Sequence, residues 1–249
     1  MNIDTLIFEV TRRCNFKCDH CLRGKARNKD MSEEVINKIF QLNDITSINR
    51  LCIGGGEPSL APHVIGHIAN TLRNRGIYVG SLEMTINGGP ALRNQTFIDA
   101  LDSLLYLVDY ADESYIAISN TPWHDYQQDY DAINWFKDHF HQVDIEKRGR
   151  LQEYHLKYEG MAAENYITCD APENIIPKDI FSIQFKERFG EYDGIDSIND
   201  GNLYINANGW VIPGCDFSYE HQERLKTINV LRDSLNKLAE FSDIYEQSY

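Results

Sequence analysis

Short apolar runs alternate along the chain with longer stretches whose apolar residues recur at three- and four-residue intervals. Residues 6–10 (Leu-Ile-Phe-Glu-Val) form the first such run and predict a strand. Ser32 followed by Glu33 and Glu34 predicts a helix start, with Val35, Ile36, Ile39, Phe40 and Leu42 as its apolar face. Residues 51–53 predict a second strand, stopped by Gly54-Gly55-Gly56. Residues 64–75 predict a helix ended by Gly76, and residues 77–86 a third strand stopped by Asn87-Gly88-Gly89. A helix over 96–107, a strand over 114–119, a helix over 125–140 and a fifth strand over 154–158 follow. Farther on, residues 180–189 read as a helix. Residues 203–205 and 210–212 flank a turn at Asn208-Gly209, and residues 225–241 read as the last helix.

Repeated strand–helix alternation argues for a parallel sheet. About six units fit, too few for a closed eight-fold barrel. The expected fold is α/β: a partial (β/α)6 TIM-like barrel with a short C-terminal extension. The expected division is a barrel core over 1–168, then a last barrel unit and the extension over 169–249. In such folds the site lies at the C-terminal ends of the strands. Cysteines follow the first predicted strand, glycines the second, Asn87-Gly88 the third, and Ser119 ends the fourth. Those features converge on one end of the sheet.

Composition narrows the function classes. The chain has 249 residues, 38 acids against 24 bases, and a formal net charge of −14. That balance argues against bulk nucleic-acid binding. No apolar run has the ~18–20 residues of a membrane-spanning helix, so no membrane partner is expected. The opening Met-Asn-Ile-Asp-Thr has no basic region followed by an apolar one. No signal peptide is expected, and the reading is cytoplasmic.

Three of the six cysteines fall within eight residues: Cys14-Asn-Phe-Lys-Cys18-Asp-His-Cys21. In a reducing compartment such spacing points to metal or redox chemistry, and three soft thiolates suit iron–sulfur iron or zinc. A structural zinc wants four protein ligands, and His20, adjacent to Cys21, is awkwardly placed as the fourth. A four-iron cluster on three thiolates leaves one iron open to an outside ligand, which is a catalytic design. Cys52 reads as a small core residue inside an apolar strand. Cys169 and Cys215 read as structural, as ligands of a second cluster, or as a catalytic thiol. Trp123-His124-Asp125 either lines a substrate site or caps the next helix through Asp125. Trp210 and Phe217 either cover the barrel mouth or pack within the extension.

Cys14-x3-Cys18-x2-Cys21 followed by Gly55-Gly56-Glu57-Pro58 resembles the radical S-adenosylmethionine (radical SAM) superfamily, as does the lead-in Thr11-Arg12-Arg13-Cys14-Asn15. The resemblance covers roughly residues 4–165. Tyr204-Ile-Asn-Ala-Asn-Gly209-Trp-Val-Ile-Pro213-Gly-Cys215 is similar to part of a SPASM or twitch extension, and residues 229–235 to the helix that follows there. Such extensions hold auxiliary clusters on several cysteines. Only Cys215 stands at the matching place, so this one looks degenerate.

The resemblance implies roles. Cys14, Cys18 and Cys21 would hold a [4Fe–4S] cluster whose open iron binds S-adenosylmethionine (SAM). One electron would cleave SAM to methionine and a 5′-deoxyadenosyl radical that takes hydrogen from the substrate, an oxidoreductase- or lyase-type reaction. Gly55, Gly56 and Glu57 would meet the methionine amino group, Asn87 and Ser119 the carboxylate or ribose, and His20 the adenine. Residues 158–165 resemble a Gly-Arg-Ala segment, with Met161 where the arginine would stand. The implied partners are a peptide or small-molecule substrate and an electron donor such as flavodoxin or ferredoxin. Residues 12–29 hold seven bases against one acid, and offer either an ordinary solvated loop or a docking face for such an acidic donor. The rival reading is a non-catalytic iron–sulfur or zinc protein that binds or senses redox state.

Overall fold

The protein is described from a computed structural model over residues 1–141, 143–148, 159–165, 197–212, 217–224 and 228–237. The elements in order are β1 (Asn2–Thr11), α1 (Glu33–Leu42), β2 (Ser47–Gly55), α2 (Pro62–Arg75), β3 (Tyr78–Ile86), α3 (Gln95–Leu105) and β4 (Tyr115–Ser119). Then come α4 (Pro122–Asp125), α5 (Tyr130–His139), β5 (Asp144–Arg148), α6 (Gly160–Glu164), β6 (Ser197–Ile205), β7 (Val211–Ile212) and α7 (Tyr219–Arg224). The strands form one seven-stranded sheet in the order β5-β4-β3-β2-β1-β6-β7. All neighbours are parallel except β6 and β7, which form an antiparallel hairpin. This is the expected α/β architecture, a partial TIM-like barrel. β6 pairs with the free side of β1, so the C-terminal segments return to the strand that carries the cysteine loop.

Strand alternation sorts residues onto two faces. Leu6, Phe8 and Val10 of β1, Leu51 and Ile53 of β2, Leu82 and Met84 of β3, and Ile116 and Ile118 of β4 face the helices. They pack with Ile36, Ile39, Ile65, Ile68, Leu101 and Phe136 into one core. The opposite face is polar. Its deeper row runs Tyr204–Ile7–Cys52–Glu83–Tyr115, by register across β6, β1, β2, β3 and β4. The next row includes Glu9, Gly54, Thr85 and Ala117.

Local signals fix many boundaries. The Ser32 side chain accepts from Val35 N and caps α1, with Glu33 and Glu34 in the favourable first turn. Gly76 ends α2 in the left-handed region, at φ 62°. The β6–β7 hairpin turns at Asn208-Gly209, as its sequence predicts.

Two expectations are corrected. β5 at Asp144–Arg148 was not foreseen; the strand expected over 154–158 lies outside the described residues. The helix expected over 125–140 is split. Pro122 opens the short α4, and the Gln127 and Gln128 side chains bond to Trp123 O, Ser119 O and Asn87 O in the break. The α5 cap is therefore Asp129, accepting from Ala132 N, not Asp125. The last helix expected over 225–241 is not helical where described. Asn229 bridges Trp210, its side chain accepts from Leu231 N and donates to Asn208 O, and only a 3-10 turn forms at Leu235–Lys237. Asparagine turn chemistry wins there over helical spacing. The helix expected over 180–189, Cys169, Cys215 and the domain boundary at residue 168 fall outside the described residues. Among those residues no helix is long and apolar enough to cross a membrane.

Candidate active site

Cys14, Cys18 and Cys21 lie on the loop that leaves the C-terminal end of β1. Each thiol is pinned from a different side. Cys14 Sγ accepts from Phe16 N at 3.4 Å and from Asn87 Nδ2 at 3.7 Å. Cys18 Sγ lies 3.8 Å from Trp123 O and accepts from Gln127 Nε2 at 3.7 Å. The Cys21 carbonyl accepts from Gly24 N at 3.1 Å and Met161 N at 2.9 Å. Burial pushes the Cys14 thiol up to about 11. Burial, then repulsion from Cys21 and Cys14, pushes Cys18 up to about 12. Burial also raises Cys21. Three half-buried thiols whose thiolates would repel one another suit a group that brings positive charge and displaces their protons. Among the described residues no three ligating side chains converge on a single ion, as a closed zinc site requires. In a four-iron cluster each thiolate caps its own iron.

The loop is braced by the ends of β2 and β3. Gly56 N donates to Thr11 O at 2.7 Å and Glu57 N to Arg13 O at 2.8 Å. A Cβ on Gly56 would overlap the Arg13 carbonyl, so this approach requires glycine. Glu57 is fully buried and accepts from Ser59 N and Oγ and from Asn87 N at 2.7 Å. Burial raises its pKa, and those three donors oppose the rise. Asn87 donates to Asn15 Oδ1 at 2.8 Å and accepts from Gly89 N. Glu57 and Asn87 thus splice three strand-end loops together.

The polar face of the sheet opens into a cavity of about 330 Å³. Its wall is Glu83, Thr85, Tyr115, Ala117 and Ser119 from β3 and β4, with His20, Thr121 and His124 at the rim. His20 stacks on Trp123, with ring centres 4.4 Å apart, and meets His124 edge-on at 5.1 Å. Burial and the nearby His124 lower His20 to about 4, and burial lowers His124. Both rings are neutral at pH 7. Among the described residues, the buried His20 Nδ1 has no hydrogen-bond partner. Such a group at a cavity rim marks room for a polar ligand atom.

The C-terminal segments close on the cysteine loop from the other side. Gly160 adopts φ 56°, and a Cβ there would overlap the Leu22 and Cys21 carbonyls. Asn165 Nδ2 donates to Asp19 O at 2.9 Å. Glu159 accepts from Ser218 N at 2.9 Å and pairs with His221 at 2.8 Å. Beneath the loop, buried Arg12 pairs with buried Glu9 at 2.7 Å and donates to Gln222 at 2.9 Å. Glu9 also accepts from Tyr204 Oη at 2.7 Å, Gln222 Nε2 at 3.1 Å and Ala207 N at 3.1 Å. Trp210 and Phe217 pack with Tyr204, Ile212 and Ile7 in a separate apolar cluster.

The structure brings Cys14 to Asn87, and places His20 and Ser119 on one cavity wall. Gly55, Gly56, Glu57 and Asn87 are not among the described lining residues; Gly56, Glu57 and Asn87 hold the loop by hydrogen bonds. His124 lines the cavity and Trp123 backs it. Cys52 is buried, as expected of a small core residue, but its row faces the polar side, and its thiol lies 3.8 Å from Glu83 Oε2. The basic run is not one open face. Arg12 is buried, Arg13 pairs with Asp30, Arg23 donates to the Phe217 carbonyl and Arg27 pairs with Glu223, while Lys17, Lys29 and Lys25, the last beside Glu164, are exposed. Sequence reading missed Gln127, which carries no local signal. It also missed Glu83, Thr85 and Tyr115, which strand alternation marks.

Fold and loops define a class: partial barrels whose strand-end loops converge over a polar chamber. The chain belongs to the radical SAM superfamily, whose family model matches residues 8–145, more than half of the chain. A protein of Methanocaldococcus jannaschii named as a glycyl-radical enzyme activating enzyme is 32% identical over 80 residues, 32% of this chain and 30% of its own. A GTP 3′,8-cyclase of Thermodesulfovibrio yellowstonii is 31% identical over 93 residues, 35% of this chain and 28% of the cyclase. The matched stretches therefore span less than a third of these curated relatives. Native anSMEcpe, with bound AdoMet and the Cp18Cys peptide, shares the fold at a TM-score of 0.59 and 13% identity, over 99% of this chain and 82% of that one. Superfamily membership carries its cofactors, a [4Fe–4S] cluster and SAM. The three-thiol loop and the rim fit them.

Proposed function

We propose that the chain is a radical SAM enzyme in which Cys14, Cys18 and Cys21 hold the cluster. When bound, the cluster and SAM supply a 5′-deoxyadenosyl radical that abstracts hydrogen from a peptide or small-molecule substrate, in an oxidoreductase- or lyase-type reaction. The observation that carries this reading is the convergence of the β1, β2 and β3 loops on Cys14 through Glu57 and Asn87. Ser119 and His20 offer SAM a hydroxyl and a ring at the rim, and the Gly55–Gly56 turn lets backbone come close. The stacked His20–Trp123 pair shields the rim from water. Both substrate classes have support: the cyclase is named for GTP, and anSMEcpe holds a peptide. A reducing compartment such as the cytoplasm suits the free thiols.

Ser119→Ala, reconstituted with iron and sulfide, is expected to bind SAM about tenfold more weakly, the scale of one hydrogen bond to a charged group. Equilibrium dialysis against labelled SAM reads this. Unchanged binding by a fully loaded variant would remove Ser119 from the site. We further propose that an acidic donor such as flavodoxin or ferredoxin docks beside Lys17 and Lys29. Reversing both charges is expected to slow reduction by flavodoxin several-fold at low salt, with the gap closing as salt rises. Equal rates at all salts would exclude docking there.

A further inference from the structure

Among the described residues that line the chamber below the rim, one charged group is not used by the cofactor site. Glu83 projects from β3 into the cavity, four residues before Asn87 and about 13 Å deeper by strand rise. Its side chain is half-buried, and its one hydrogen-bonding partner among the described residues is the Cys52 thiol, at 3.8 Å. Salt bridges satisfy Glu9, Arg12, Arg13 and Asp30 nearby, yet none reaches Glu83 among the described residues. The remaining described lining is Thr85, Tyr115, Ala117, Ser119, Thr121, His20 and His124, with no lysine or arginine among them. A carboxylate partly withdrawn from water without a cation is costly, and a bound cation offsets that cost.

We propose that Glu83 is the cation seat of the substrate chamber, so the substrate carries a primary amine or guanidinium that enters first and lies at the floor. Its reacting C–H then sits toward the rim, on the order of one side-chain length from the charge. The inference rests on the radical SAM reading, because it takes the rim as the place of SAM.

The test uses three probes of equal length and different charge: n-butylammonium, n-butanol and butyrate. Each is titrated by calorimetry into the reconstituted protein with SAM bound. Butylammonium is expected to bind at least tenfold tighter than butanol, and butyrate not at all. Glu83→Gln is expected to erase the ammonium preference, with a cooperative thermal melt showing that the variant is folded. Glu83→Lys is expected to turn the preference to butyrate. No ammonium preference in the wild type, or a preference that survives Glu83→Gln, overturns the cation seat. SAM binding, measured first in the same preparation, reads the underlying assignment separately: its absence overturns the radical SAM reading, not the seat.

Discussion

Arg12→Ala is expected to destabilise the protein by about 3–5 kcal/mol, the usual cost of leaving one member of a buried ion pair alone. Arg12 and Glu9 are 1% and 0% exposed. With the guanidinium gone, Glu9 keeps Tyr204, Gln222 and Ala207 N as donors but has no cation. The same network joins β1 to the β6–β7 hairpin and α7, so the loss reaches the C-terminal segments as well as the cysteine loop. Urea denaturation read by circular dichroism measures the change. The double variant Glu9→Gln with Arg12→Met is expected to be more stable than Arg12→Ala alone, because it removes the charge together with its partner. A loss under about 1 kcal/mol for Arg12→Ala would contradict the buried-pair account.

Gly56→Ala is expected to cost about 1–3 kcal/mol and to abolish most iron loading. A methyl group there meets the Arg13 carbonyl, so the β2 loop must retreat and break Gly56 N–Thr11 O and Glu57 N–Arg13 O. Arg13 directly precedes Cys14, and the displacement passes straight to the first thiol. Gly54→Ala is the control: nothing lies within 4 Å of a Cβ at that position. Iron and sulfide assays after reconstitution, with a thermal melt, compare the two. Equal loading of both variants would show that the glycine turn does not place the cysteine loop.

Most of the barrel was legible because its elements carry local signals. Ser32, Gly76 and Asn208-Gly209 mark ends by capping and turn chemistry, which acts within a few residues. β5 was not legible. Asp144–Arg148 is a short strand with one apolar residue, and its place beside β4 is set by sheet pairing. The break between α4 and α5 was hidden for a related reason: Gln128 acts through Ser119 and Asn87 and Gln127 through Lys17 and Cys18, contacts that periodicity does not encode.

The site divides along the same line. Cysteine spacing and Gly-Gly-Glu-Pro are contiguous motifs and were read directly. The work of Glu57, a brace between β2 and β3 loops, needed its two carboxylate oxygens to be located. The pairing of the basic run was not legible: Arg12, Arg13 and Arg27 meet acids up to 211 residues away, and Arg23 donates to the Phe217 carbonyl. Cys52 is buried, as its apolar neighbours suggest, but alternation turns it to the face opposite Leu51 and Ile53, beside Glu83.

The most direct test of the central claim is anaerobic reconstitution with iron and sulfide, followed by SAM and dithionite and an assay of 5′-deoxyadenosine. The account predicts 5′-deoxyadenosine and methionine from the wild type and none from Cys18→Ala. A wild-type protein with a fully loaded four-iron cluster that binds no SAM and forms no 5′-deoxyadenosine would contradict it.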